Sequence, residues 1–290
     1  MIKDTLKALG DAARDTLRGW RGLLLLAALY ALLLACVYYF FSTGVANAWQ
    51  LALTAATALA APVLLLLLLS ATANAALPRG EARGGLLRRT LRDVPKVLLL
   101  ALPVAGLAVL FVYLLGKLPG WLPKVDELPA AYVPAAGAAR PVPLHWQEVL
   151  TSTLWLALPG FVLPLAAAHL WLAAARDGLK ATLRGLHRVA GRAFLPRSVL
   201  VYALGLFFFG LTPYFVLFTR TSVTNGWSEL SLFGLRLALT FALTLVGWVV
   251  TLGALARVTP PLSATFAPAA EPAPAAPPPE PVAAEPQLQA

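Results

Sequence analysis

Apolar residues along this chain fall in long blocks, with charges gathered in the gaps between them. A helix needs about 20 mainly apolar residues to cross the hydrocarbon core of a bilayer. The segments that reach this length are Gly22 to Phe41, Trp49 to Leu77, Val97 to Leu118, Val149 to Ala175, Val199 to Phe218 and Leu230 to Ala256. In lipid, an open strand would leave its backbone groups unsatisfied, so each block predicts a transmembrane helix.

The gaps carry a pattern of their own. Ile2, Leu6, Leu9, Ala13, Leu17 and Trp20 recur at spacings of three and four, which places them on one face of a helix. Asp4, Asp11 and Asp15 stand three residues before Lys7, Arg14 and Arg18, a spacing at which helical ion pairs form. Residues 1–21 therefore predict a basic amphipathic helix lying in the headgroup plane. Beyond the fourth span, Leu179, Leu183, Leu186, Ala190 and Phe194 form a similar stripe. Arg176, Lys180, Arg184, Arg188 and Arg192 follow at strict fourth positions and make a candidate basic face for anionic headgroups or a protein partner. A shorter version precedes the third span, where Leu87, Leu91 and Val94 oppose Arg88 and Arg92. There Asp93 and Pro95 suit the N-cap and an early position of span three. The sequence TLKAL from Thr5 matches TLRGL from Thr182, and TLR recurs at Thr16 and Thr90. Three copies of a unit made of interfacial helix, span and span would explain this.

Composition agrees with the blocks. Apolar residues make up 59% of the 290-residue chain and charged residues 12%, against roughly 25% charged in a soluble domain. The predicted fold class is an all-α, polytopic membrane bundle of six spans with three basic amphipathic interfacial helices. A Pro- and Ala-rich tail over residues 257–290 cannot pack a core and predicts disorder or partial polyproline II. Richness in Ala, Leu, Arg and Pro resembles the products of a GC-rich bacterial genome.

The net charge of +10 would suggest nucleic acid in a soluble protein, but its distribution here gives a membrane reading instead. Lys3, Lys7, Arg14, Arg18 and Arg21 precede span one, and Arg79, Arg83, Arg88, Arg89, Arg92 and Lys96 lie between spans two and three. The run from Arg176 to Arg197 follows span four, and Arg257 follows span six. The other side has Lys117, Lys124, Arg140 and Arg220. This bias predicts a bacterial inner-membrane protein with both termini in the cytoplasm. Tyr38, Tyr39, Trp49, Trp121, Trp146 and Trp227 mark the outer boundary, and Trp20 and Trp171 the inner one. Ala46-Asn47-Ala48 resembles a signal-peptidase site, but the apolar block before it exceeds the 7–15 residues of a signal core. That block reads as an uncleaved span.

Ionisable groups at membrane depth are functional hypotheses by default. Arg236 heads a stripe in span six that continues through Thr240, Thr244, Gly247 and Thr251. It reads either as a hydrated path with Glu229 or Glu148 as counter-ion, or as a snorkelling arginine above a packing seam. His169 in span four is a proton relay or a hydrogen-bonded packing residue. Pro62, Pro103, Pro159, Pro164 and Pro213 interrupt four spans, and Pro159-Gly160 with Pro164 predicts a kink or break in the fourth. Ala52, Ala56 and Ala60 predict a packing seam, and Cys36, the one cysteine, a small packing residue.

Signatures of mononucleotide, zinc-protease, esterase and thiol chemistry are missing from the sequence. Asp126, Glu127, His145 and Glu148 lie in or beside a Pro-rich loop from Lys117 to Gln147 and read as exposed loop polarity. The expectation is a non-enzymatic scaffold, regulator or lipid-interacting component without a cofactor or metal, whose partners are anionic lipids. Six spans behind an inward amphipathic N-terminus also resemble the permease subunits of ABC-type exporters. That resemblance implies a transport component working with a separate cytoplasmic ATPase.

Overall fold

The computed structural model describes residues 1–77, 85–122, 146–219 and 225–261. The described residues fold as helices: α1 (Ile2–Arg18), α2 (Trp20–Ser42), α3 (Ala48–Ala76), α4 (Leu86–Trp121), α5 (Trp146–Ala157), α6 (Leu163–Asp177), α7 (Leu179–Arg184), α8 (Leu186–Ala193), α9 (Pro196–Leu206), α10 (Thr212–Phe218) and α11 (Gly226–Val258). A π-turn over Leu158–Val162 joins α5 to α6, and another over Phe207–Leu211 joins α9 to α10. Among the described residues six helices are long and apolar enough to span a membrane: α2, α3, α4, α5–α6, α9–α10 and α11. The chain is an all-α polytopic bundle.

Local chemistry explains several boundaries. Asn47 caps α3 by accepting from the Gln50 N–H at 2.9 Å, while Gln50 Oε1 accepts from the Ala46 N–H at 2.9 Å. This is a capping-box arrangement shifted by one residue on the return bond, so the Ala46-Asn47-Ala48 tripeptide serves as a helix start. Asn225 caps α11 in the same manner through the Trp227 N–H. Prolines change register without ending their spans. The Leu163 and Thr212 N–H groups reach back five residues to the Leu158 and Phe207 carbonyls, and Thr212 Oγ1 also donates to Phe207 O at 2.9 Å. Span four is therefore a continuous helix widened at Pro159-Gly160, and span five is widened ahead of Pro213. A proline removes one N–H from the ladder, and in both spans the wider turn lies beside one.

The middle basic segment is not a separate interfacial helix. It forms the first turns of α4, which starts at Leu86, and Asp93 is an interior helical residue rather than an N-cap. The basic segment after span four is split in two. Gly178, with φ of 83°, turns the chain between α6 and α7, and Gly185 separates α7 from α8. Of the threonines in the repeated TL pairs, Thr5, Thr90 and Thr182 are buried and Thr16 is half-buried. Each basic segment therefore seats its threonine against the bundle.

Burial is concentrated toward the end that carries α1, α7 and α8, hereafter the basic end. The core there joins Ala8 and Ala12 of α1, Leu165, Ala168 and Leu172 of α6, Val201 and Tyr202 of α9, and Leu252 to Ala256 of α11. A second cluster holds Leu26, Ala71, Leu245 and Val249, with Tyr30 stacked on Phe241. Toward the opposite end, large side chains such as Val109, Leu156 and Phe218 face outward. Ala52 and Ala56 are also exposed, so they form no seam within the bundle. The contact lies one residue along, where Cys36 Sγ donates to Thr57 O at 3.3 Å.

Candidate functional site

The polar residues predicted in span six form a seam against span five. Arg236 Nη1 donates to Thr219 O, at the C-terminal end of α10. A carbonyl takes the place of the expected carboxylate, since neither Glu148 nor Glu229 pairs with Arg236. Thr240 Oγ1 lies 3.4 Å from Pro213 O, a carbonyl within the disturbed part of span five. Below this, Gly247 lies against the backbone of Phe209, and Thr251 bonds its own helix at Gly247 O, 2.7 Å away. Thr244 lies on the same helix and is half-buried. Two of these side chains thus satisfy carbonyls at the C-terminal part of span five, while the small residues let the helices close.

His169 lies apart from that seam. It is buried in α6 at the basic end, beside Arg176, Arg192 and the end of α11. Its Nε2 makes no hydrogen bond among the described residues, in contrast to the bonded packing histidine expected from sequence. The basic face divides around it. Arg176 turns inward and donates to Ala256 O and Thr259 O at 2.7 and 2.6 Å, and Arg192 donates to Pro260 O at 2.8 Å. These two side chains hold the carbonyl end of α11, where cations also complement the helix dipole. Lys180, Arg184 and Arg188 are exposed.

A polar site that the sequence reading passed over lies between α3 and α4. Asp93 is 1% exposed. It accepts from Lys96 Nζ at 2.6 Å and from Asn74 Nδ2 at 3.1 Å, with Arg92 Nε at 3.4 Å. Ser70 Oγ donates to Thr90 O at 2.9 Å beside it. The run Ser-Ala-Thr-Ala-Asn-Ala-Ala from Ser70 to Ala76 makes this approach possible, because its small side chains let α4 come close. That run at the end of an otherwise leucine-rich span, followed by Asp93 and Lys96 one turn apart, was the available signal.

Next to this network is a chamber of about 210 Å3 where α1, α2, α3, α4 and α11 meet. Asp15 and Thr16 of α1, Asn74 of α3, Arg89 of α4 and Arg257 of α11 supply its polar wall. Leu23, Leu26 and Val249 supply an apolar wall, and Gly19, Gly22 and Gly253 keep space open. Arg257 pairs with Asp15 and donates to Gly253 O at 2.9 Å, tying α1 to the end of α11 across 242 residues of sequence. Asp15 thus reaches a partner far along the chain. Asp4 likewise meets the N-terminal amine at 3.4 Å and Arg197 at 4.0 Å, in place of Lys7.

Among the described residues no group of three His, Cys, Asp or Glu side chains converges as a metal site would require. Asp126, Glu127 and His145 lie outside the described residues, as does the tail beyond Pro261. Comparisons with protein-family models, curated proteins and solved structures returned no match.

Proposed function

We propose that this protein is a non-enzymatic inner-membrane component that binds anionic lipid through its basic end, facing the bacterial cytoplasm, as a scaffold or regulator. The observation that carries the reading is how α1 sits. Thr5, Ala8 and Ala12 are buried on the bundle side. Ile2, Leu6, Leu17 and Trp20 remain exposed, together with Lys3, Lys7, Arg14 and Arg18. A helix docked through its small residues, with large apolar and cationic side chains left outward, fits a headgroup plane. Leu183, Leu186 and Phe194 of the second basic segment are exposed in the same manner, beside Lys180, Arg184 and Arg188. Each such cation contributes about 1 kcal/mol near an anionic surface.

Two acidic groups at this end support a structural role, because Asp93 is held by Lys96 and Asn74, and Asp15 by Arg257. The test is purification in mild detergent from the native host, with mass spectrometry of everything retained. Bound anionic phospholipid is expected, reduced about tenfold or more when Lys3, Lys7, Arg14 and Arg18 are all changed to Gln. A stoichiometric ATPase would instead make the exposed cations a docking surface and establish the export-permease reading.

A further inference from the structure

We propose that the chamber between α1, α2, α3, α4 and α11 binds the phosphate of an anionic lipid headgroup, with Arg89 as the recognising residue. This rests on the lipid-binding reading of the basic end and gives it a specific site. Arg89 carries the argument because its hydrogen-bonding capacity is largely unused. Its Nε–H is buried without a partner among the described residues, and its Nη1 makes a long bond, 3.5 Å, to Asn74 O. The nearby carboxylate of Asp93 is already taken by Lys96 at 2.6 Å, Asn74 at 3.1 Å and Arg92 at 3.4 Å.

Buried donors of this kind nearly always find partners. Arg89 lines the chamber, so an anion lodged there that draws the guanidinium off its long bond to Asn74 pairs with it. A guanidinium presents its N–H groups as a planar fork that fits phosphate oxygens two at a time. Arg257, the other cation on the wall, is matched by Asp15 and the Gly253 carbonyl. The chamber therefore has one arginine without a carboxylate of its own, which sets its preference for a single anionic group. Leu23, Leu26 and Val249 give the same space an apolar wall. Phosphate on one side and hydrocarbon on the other is the chemistry of a phospholipid at the boundary between headgroup and acyl chain. At Gly22 an added Cβ would meet only Leu86, at 3.4 Å, so the joint between α1 and α2 leaves the chamber uncrowded.

Arg92 provides the control, since it stands one turn along α4 with the same charge but a side chain 67% exposed. The experiment titrates dioleoyl phosphatidylglycerol, or phosphatidylcholine, into the delipidated full-length protein in neutral detergent and counts bound lipid by native mass spectrometry. Phosphatidylglycerol should bind the wild type more tightly than phosphatidylcholine. Arg89→Gln should weaken the tightest phosphatidylglycerol site about tenfold, and Arg92→Gln by less than about twofold. Arg89→Lys should lose about threefold, because lysine keeps the charge without the fork. It decides the matter should Arg89→Gln fail to fold. Competing inorganic phosphate or glycerol phosphate separates the sources. Failure to displace the lipid supports a membrane headgroup, and Arg89-dependent displacement shows that the same site takes soluble phosphate. Equal losses for Arg89→Gln and Arg92→Gln would overturn the site while leaving surface attraction intact. Equal binding of the two lipids by the wild type would overturn both the site and the reading beneath it.

Discussion

A methyl group added at position 205 would fall 2.1 Å from Thr251 Oγ1 and 2.8 Å from its Cβ, well inside van der Waals contact. Both residues are buried, so neither can swing aside without parting span five from span six. Gly205→Ala should therefore destabilise the protein by about 2 kcal/mol through overpacking, measured as thermal unfolding in detergent. Thr251→Ala keeps that Cβ and should rescue Gly205→Ala only in part, whereas Thr251→Gly, at a cost of about 1 kcal/mol on its own, should rescue it largely, since the threonine bonds only its own helix. Additive losses would show that the two side chains do not share this contact. The sequence displayed Thr251 in a stripe of small and polar residues, which could be read as a packing seam or as a path. The facing glycine could not be read, because its necessity arises from a neighbour 46 residues away. Arg236 shows the same limit. Its charge at membrane depth was plain, but its partner is a backbone carbonyl at Thr219, and carbonyls leave no trace in a sequence.

At the scale of elements, α1 shows which surfaces a hydrophobic pattern finds. The stripe from Ile2 to Trp20 was legible because large apolar residues repeat at helical spacing. Much of that stripe faces outward, while the docked face is Thr5, Ala8 and Ala12. Small residues give no hydrophobic signal, yet they permit the closest approach, and Ala12 Cβ lies 3.2 Å from where a side chain at Gly253 would begin. Ala12→Leu should lift α1 off α11 and raise the rate of tryptic cleavage after Arg14 about tenfold in detergent, from a loss of roughly 1.4 kcal/mol in local stability. Leu6→Ala should leave that cleavage rate unchanged. Identical protease resistance in Ala12→Leu would mean that α1 is not held by this face. Prolines were similarly half-legible. Pro159, Pro164 and Pro213 announced a disturbance, but a π-turn that keeps the helix continuous depends on which carbonyl recaptures an N–H. The turns lie close to a chain of edge-to-face rings, Phe161 with Tyr202, Tyr202 with Phe209 and Phe209 with Trp248, linking spans four, five and six.

The whole molecule is a bundle packed most closely at one end, and its outline was the most legible part. All six spans follow from block length, because the bilayer sets a minimum that no soluble helix must meet. Their starts were less clear, since α4 takes in Arg88, Arg89, Arg92 and Asp93 before its apolar block. A charged residue inside a helix looks like a loop until Asn74 and Lys96 are seen around it. The Asp15–Arg257 pair puts α1 and the end of α11 at one end of the bundle, as an even number of spans between them requires. In the function proposed above, this basic end faces the cytoplasm and its anionic lipid. Substituted-cysteine labelling can read this orientation, because Cys36 is buried and the chain has no other cysteine. In a Cys36→Ser background, single cysteines would replace Lys3, Arg188, Ala48 and Ser228, all exposed residues. A membrane-impermeant maleimide should label the Ala48 and Ser228 positions in intact spheroplasts, and the Lys3 and Arg188 positions only after lysis. Labelling of Lys3→Cys from outside would place the basic end on the outer face, and labelling of Lys3→Cys and Ser228→Cys from the same side would rule out this topology.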